Sequence, residues 1–217
     1  MINEWIKKGI EMGGDSEIVL PHGRLSYSSI NMLKTPDRWV EHYLKGNKQN
    51  FTSASIQAGQ DFAKSREENP DFHTMFPSLD IKEKTLVVPI ELAYGLNKKA
   101  CLLAKMDGIL EDFTIIQDDK MQHVSTKSKW TQSKVFYSLQ FRLYSLAVYE
   151  HTGIIPKVQV CIVETWTNPV TGQIEVTGNH EMIYTQYTKN DMQNTRESFT
   201  ASVLKANDLI RNFYENN

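Results

Sequence analysis

The amino-acid sequence predicts an α/β (α+β) domain in which a mixed central β-sheet is flanked by helices. Helical patterns fill the first third of the chain, strand-like runs occupy the middle, and one helix separates these strands from two later ones. A final helix closes the chain, and this alternation is typical of helices packed on the faces of one sheet. The chain has 217 residues, enough for one domain with a real core, so we expect residues 1–217 to form a single domain.

Three helices are expected in the first 46 residues. Apolar residues at helical spacing predict the first over residues 2–12. Ser26 or Ser28 can cap a short second helix that ends near Leu33. The third begins at Thr35-Pro36-Asp37, because proline suits the first turn of a helix.

A fourth helix is predicted over residues 53–68, capped by Ser53 or Ser55 and ended by Asn69-Pro70. Gly59 lies in its interior. Because an interior glycine costs about 1 kcal/mol relative to alanine, it indicates close packing against another backbone or a ligand.

Three consecutive strands are predicted in the middle of the chain. Residues 85–96 form the first, with Pro89 marking an edge or a bulge, and residues 100–110 pair with it. A turn at Glu111-Asp112 then leads to a third strand that starts at Phe113.

The last third of the chain predicts one helix, a long hairpin and a closing helix. Residues 131–151 have the broadest apolar helical face. Residues 157–166 and 173–188 predict an antiparallel pair with a bulge at Gly178, and residues 189–215 predict the final helix.

Composition limits the classes of function. The formal net charge of −2 excludes bulk basicity, so a nucleic-acid surface would be a local patch. Cys101 and Cys161 lie in apolar runs, and we expect buried thiols in a reducing compartment. Since no secretory leader or 18-residue apolar run is present, we expect a soluble, cytoplasmic protein with no membrane partner.

Acidic residues interrupt the two strands on either side of the Glu111-Asp112 turn. Asp107 lies on the first strand, and Asp118 and Lys120 lie on the second. Because strand side chains alternate, Asp118 and Lys120 point the same way, ~6–7 Å apart, while Asp119 points the other way. Two carboxylates at a sheet edge can hold a divalent metal and leave the ammonium as a cation beside it; the alternative is a solvated hairpin end with incidental charges.

The spacing of these residues resembles the PD-(D/E)XK nuclease superfamily, specifically its RecB-like and phage-type recombination exonuclease branch. Asp107 is followed eleven residues later by Asp118-Asp119-Lys120, as in the motif of an aspartate and then (D/E)-x-K. The next helix carries Gln140 and Tyr144, which match the family's Q-x-x-x-Y. Glu91 matches the glutamate of the upstream strand. The resemblance covers roughly residues 25–165, and it implies a restriction-endonuclease-like core.

The resemblance also implies roles for these residues. Asp107, Asp118 and the backbone carbonyl of Asp119 would coordinate Mg²⁺ or Mn²⁺, which prefer oxygen ligands. Lys120 would orient or help deprotonate the attacking water, and Glu91 would be a second carboxylate arm or an outer partner. The remaining pair, Gln140 and Tyr144, would contact the terminal nucleotide or brace the metal-binding strand.

One departure from the family pattern is the absence of a histidine. Many relatives read G-x-x-x-H in the helix that here contains Gly59, and the matching position is Ala63. Glu67 is one candidate replacement. The lysine-rich residues 123–134 and the N-terminal helices are candidates for a DNA path. The lysines beside Trp130 suit phosphate contacts and base stacking, and the alternative for this segment is a mobile surface loop.

The function implied is a metal-dependent DNA exonuclease that acts on linear duplex or single-stranded ends in recombination, repair or phage DNA metabolism. Two alternatives stay open at this point: an endonuclease on the same fold, and an inactive DNA- or protein-binding relative. By analogy with the family, an annealing or single-strand-binding protein and a homo-oligomer are candidate partners.

Overall fold

The computed structural model describes residues 1–47, 54–68 and 79–215. Within these residues, six strands form one mixed sheet with helices packed on it. The α/β architecture with a mixed central sheet is therefore confirmed. The strands are β1 (Arg24–Ser26), β2 (Ile81–Glu91), β3 (Lys99–Ile109), β4 (Ile115–His123), β5 (Lys157–Thr167) and β6 (Ile174–Gln186).

The described helices follow the predicted order. They are α1 (Ile2–Glu11), α2 (Tyr27–Met32), α3 (Pro36–Tyr43), α4 (Ala54–Glu68), α5 (Gln132–Tyr137), α6 (Leu139–Thr152) and α7 (Lys189–Glu215), with a short 3₁₀ turn at Pro21–Gly23. Ser26 caps α2, as predicted, by accepting a hydrogen bond from the backbone N–H of Ser29. Ser53 and Asn69-Pro70 lie outside the described residues.

Strand β3 organises the sheet. Strand β2 pairs antiparallel with β3 along its full length. Strands β1 and β4 share the other edge: β1 runs parallel to residues 101–103, and β4 runs antiparallel to residues 108–109. Strand β4 then pairs in parallel with β5, which pairs antiparallel with β6. The sequence did not predict β1, which has only three residues.

Strands β3 and β4 form a fork. They pair at only two positions, Gly108 with Gln117 and Ile109 with Ile116. Strand β4 instead pairs with β5 at nine positions, from Ile115 to His123. Because β4 follows β5 and leaves β3, side chains on the diverging strands can meet between them.

Two predicted elements differ from the structure, and one prediction of detail is confirmed. The helix predicted over residues 131–151 is broken at Ser138, whose extended ψ of 120° separates α5 from α6. Strand β2 starts at Ile81 and ends at Glu91, four or five residues before the predicted bounds at each end. The register of β5 and β6 shifts between Val163 and Thr165, which confirms a bulge near Gly178.

The core lies between the sheet and helices α6 and α7, while α4 covers the other face of β5. Phe141 of α6 and Phe199 of α7 are fully buried. Phe62 of α4 packs with Cys161 and Val163. Both cysteines are buried thiols, as predicted, and burial raises the pKa of Cys101 to about 11. No helix in the described part of the chain is long and apolar enough to span a membrane.

Candidate active site

Asp107 bridges the fork between β3 and β4. Its Oδ2 accepts a hydrogen bond of 2.8 Å from the backbone N–H of Asp119. This bond ties β3 to β4 beyond their last paired residues, and it places the half-buried Asp107 carboxylate beside the D-x-K segment. The structure therefore brings the two parts of the predicted motif together.

Asp118 is held from two sides. It is 3% exposed, and its Oδ1 accepts a hydrogen bond of 2.9 Å from Gln140 Nε2. Its Oδ2 lies 2.5 Å from Lys120 Nζ, which confirms that these two side chains point the same way. The buried Oδ2 therefore already faces a cation, the Lys120 ammonium.

The electrostatics of the fork favour a positive charge. Burial raises the pKa of Asp118 to about 6; the Lys120 ammonium opposes this rise, and the Asp107 carboxylate adds to it. Two carboxylates in a dry site repel each other when both are ionised. A cation bound between them would offset that repulsion.

Gln140 and Tyr144 form a brace on α6. They lie four residues apart and therefore share a face of the helix. The two N–H groups of the Gln140 amide can serve both of its contacts, because Nε2 lies 2.9 Å from Asp118 Oδ1 and 2.9 Å from Tyr144 Oη. Burial raises the pKa of Tyr144, and the charge of Asp118 adds to this, so its hydroxyl stays protonated.

Lys120 leans on α6 as well. Its Nζ lies 5.7 Å from the ring centroid of Phe141, within reach of a cation–π contact. Trp130 packs against Phe141, with its ring centroid 6.0 Å from that of Phe141. Trp130 also donates its backbone N–H to Gln122 Oε1 at 2.7 Å. The half-buried indole belongs to the support of Lys120, so the structure does not favour the base-stacking role expected from the sequence.

The Asp119 side chain points away from Asp118, as predicted. Its Oδ1 accepts a hydrogen bond of 2.9 Å from Gln117 Nε2. The sequence reasoning did not single out Gln117, or Gln159 beyond it. The only sequence signal that could have identified these two glutamines is that each lies next to apolar residues of a strand pattern.

Glu91 does not reach this cluster. It lies at the end of β2 opposite Lys99, eight residues along β3 from Asp107, which corresponds to about 26 Å. The residue opposite Asp107 is Glu83, whose carboxylate pairs with Lys105 at 2.6 Å. The expectation that Glu91 is a carboxylate arm of the site is therefore wrong in position, because β2 ends at Glu91 and turns toward Lys99 earlier than its apolar pattern suggested.

The donor set fits a hard divalent cation held by few protein ligands. Within the described residues, no group of three or more His, Cys, Asp or Glu side chains could hold a metal. The available oxygens are the carboxylates of Asp107 and Asp118 and the carbonyl of Asp119. Mg²⁺ accepts such a set, because it retains several waters and substrate oxygens in its shell. The observation that supports this fit is the buried Asp118 carboxylate, whose Oδ2 already faces a cation in Lys120 Nζ.

Helix α4 lies beside the fork, although it lacks the family's histidine. A Cβ added at Gly59 would lie 3.9 Å from Met121 Sδ, so the helix passes close to the residue after Lys120. Ala63 is exposed one turn later. The side chain of Glu67 lies outside the described residues.

Solved structures provide a comparison at the level of the fold. A protein from Eubacterium rectale, provisionally assigned as an exonuclease, has a TM-score of 0.51 at 14% identity, covering 86% of this chain and 82% of that chain. The protein SSO0001 has a TM-score of 0.53 at 13% identity, covering 94% and 86%. LHK-Exo in complex with dAMP has a TM-score of 0.47 at 11% identity, covering 89% and 93%. No protein-family model and no curated protein matches the sequence.

The comparison establishes a shared fold. The first two structures match this chain over most of both lengths, so the chain shares its α/β fold, a mixed sheet flanked by helices, with them. At these identities the similarity extends to the fold alone. What the chain does is a separate inference from its own residues.

Proposed function

We propose that this protein is a divalent-metal-dependent DNA exonuclease. The observation that carries the proposal is the meeting of Asp107, Asp118 and Lys120 at the β3–β4 fork, where the buried Asp118 carboxylate faces the Lys120 ammonium. The provisional assignment of the E. rectale protein as an exonuclease agrees with this reading.

Each residue of the fork has a part in phosphodiester hydrolysis. A bound Mg²⁺ or Mn²⁺ would supply Lewis-acid stabilisation of the phosphate and lower the pKa of a water nucleophile. Asp107, Asp118 and the Asp119 carbonyl would hold it. Lys120 Nζ lies beside Asp118, where it can orient the attacking water and offset charge on the phosphate. Gln140 fixes the Asp118 carboxylate, because its donated hydrogen bond selects one orientation.

The DNA path is proposed along residues 123–134. Lys134 is tied to Ser128 through its carbonyl, at 3.0 Å, and its hydroxyl, at 2.6 Å, which shapes the loop. Lys127 and Lys129 are exposed on it. These two ammonium groups are positioned for phosphate contacts that carry no sequence information.

A second candidate is a binding protein that keeps the fold and lacks cleavage. Ala63 favours this alternative, since it removes a side chain that many relatives use as a metal ligand. The complete set of Asp107, Asp118 and Lys120 argues against it, because buried charge is costly to retain without a use.

The test is degradation of an end-labelled linear duplex beside a covalently closed circle of the same sequence. Each substrate is incubated with Mg²⁺, Mn²⁺ or EDTA. Metal-dependent loss of the linear duplex alone is expected for the exonuclease. Cleavage of the circle would identify an endonuclease, and no cleavage by the folded protein would favour the binding protein.

A further inference from the structure

We propose that Gln117 and Gln159 are positioning residues that fix Asp119 and thereby set the affinity of the fork for its metal. This inference rests on the proposed function. It concerns the face of β4 opposite to Asp118, and neither glutamine belongs to the family motif described above.

Three polar side chains form a continuous chain across two strands. Gln159 Nε2 on β5 donates to Gln117 Oε1 at 2.6 Å. Gln117 Nε2 on β4 donates in turn to Asp119 Oδ1 at 2.9 Å. Gln117 and Gln159 are register partners in the parallel pair, so the sheet itself places their amides side by side.

These hydrogen-bonded side chains are buried, so placing polar residues here without a functional use would lower the stability of the fold. Gln117 is 2% exposed and Gln159 is 7% exposed, and apolar side chains such as Val158 and Val160 surround Gln159 in sequence. A buried amide stabilises the fold little even when it is bonded, and it costs about 1–3 kcal/mol when its partner is lost. Apolar residues would fill the two positions at lower cost. The chain ends on a carboxylate of the D-x-K segment, which gives the arrangement a use.

The consequence is that Asp119 is held at two points. Gln117 holds its side chain, and Asp107 holds its backbone N–H at 2.8 Å. These two hydrogen bonds together therefore restrain rotation of the Asp119 backbone. The carbonyl of Asp119, which the proposed function assigns to the metal, keeps one direction, and the Asp107 carboxylate keeps its place beside it.

Gly108 makes room for this arrangement. It is the register partner of Gln117 on β3. A Cβ at this position would lie 3.3 Å from Gln117 Cβ and 3.4 Å from Leu79 Cβ, so a larger residue would press on Gln117. The last paired positions of the fork are thus compatible with the buried amide.

The first measurement is the rate of amide hydrogen exchange at Asp119, monitored by NMR in the presence of EDTA. The variant Gln159→Leu removes the donor to Gln117 while keeping a similar volume, and Gln159→Met serves if the leucine variant does not fold. Faster exchange at Asp119 than in the wild type is expected. The matched control is Thr185→Val, a buried polar residue on β6 outside this chain of hydrogen bonds. Unchanged exchange in both Gln159 variants would overturn the proposed restraint.

The second measurement is calorimetric binding of Mn²⁺ without DNA. Loss of an outer partner of a metal ligand typically weakens affinity by about 10–100-fold, and we expect at least the lower value for Gln159→Leu. Thr185→Val should bind Mn²⁺ as the wild type does. Equal affinity in all three proteins would overturn the inference and leave the nuclease proposal intact. Absence of Mn²⁺ binding by the wild type would instead overturn the proposed function, and with it the metal half of this inference.

Discussion

Strands β4 and β5 are parallel neighbours of nearly equal length, yet their side chains differ in character and in role. Strand β5 carries an apolar run that only Gln159 interrupts, and every residue from Val158 to Val163 is buried. Strand β4, its neighbour in the sheet, carries four consecutive polar residues, from Gln117 to Lys120. The two strands pair at nine positions. The comparison teaches that β5 supplies the rigidity against which β4 can hold reactive groups.

The largest expected effect comes from changing the chemistry of β4. Asp118→Asn and Lys120→Met should each lower the cleavage rate of linear duplex by at least about 100-fold, because each removes a charge placed at the reacting phosphate. Rates at saturating Mg²⁺, with circular dichroism as a check of folding, measure this.

Glu91→Gln is the matched control for those variants. Its carboxylate lies far from the fork, so the rate should stay near that of the wild type. A loss comparable to that of Asp118→Asn would return Glu91 to the site.

Changing β5 should affect stability first. Ile162 is 3% exposed, and Ile162→Ala should lower the free energy of unfolding by about 2–5 kcal/mol through lost burial and a cavity. Guanidinium denaturation measures this loss. The activity of the molecules that remain folded should change much less than in the β4 variants. A stability near that of the wild type would contradict the supporting role given to β5.

A smaller effect is expected from the pH dependence of Asp118. Its pKa in the folded protein, about 6, lies above its ordinary value of 3.8. The protonated group therefore contributes stability that is full below about pH 4 and is lost as the pH rises through about 6. In EDTA at pH 8, Asp118→Asn should be more stable than the wild type by on the order of 2 kcal/mol.

Thermal unfolding at pH 4, 6 and 8 measures this difference, which should shrink toward acid pH. Added Mg²⁺ should raise the melting temperature of the wild type and leave that of Asp118→Asn unchanged. A variant that is less stable than the wild type at pH 8 would contradict the assignment of Asp118 as a strained, cation-seeking group.

The smallest expected effect is that the two cysteine thiols do not react in the native protein. Cys161 on β5 and Cys101 on β3 are fully buried, and burial raises the pKa of Cys101 to about 11. Neither thiol should react with Ellman's reagent at pH 8 in the native protein, and both should react in guanidinium. Rapid native labelling of Cys161 would show that β5 opens more readily than its burial indicates.

The sequence predicted much of this site because a short motif carries its own geometry. Alternation along a strand was enough to place Asp118 and Lys120 together and Asp119 apart, and helical spacing was enough to join Gln140 to Tyr144. The eleven-residue separation from Asp107 to Asp118 needed only a tight hairpin. Each of these relations is local, so no tertiary information was required.

Other features depended on long-range register and could not be derived locally. The position of Glu91 relative to Asp107 follows from where β2 ends and turns into β3, which its apolar pattern did not show. Gln117 and Gln159 are far apart in sequence, and only the parallel pairing of β4 with β5 makes them neighbours. The break at Ser138 is a single extended residue within an unbroken apolar pattern, so periodicity could not find it.

The two-position pairing of β3 with β4 has a mechanical consequence. The sheet consists of two three-stranded halves, β1–β3 and β4–β6. They are joined by one hairpin, those two positions and the hydrogen bond from Asp119 N–H to Asp107. Helix α6 contacts β2 and β3 of the first half and binds Asp118 of the second through Gln140. The spacing of the two aspartates therefore depends on the packing of a helix as well as on the hydrogen bond within the fork.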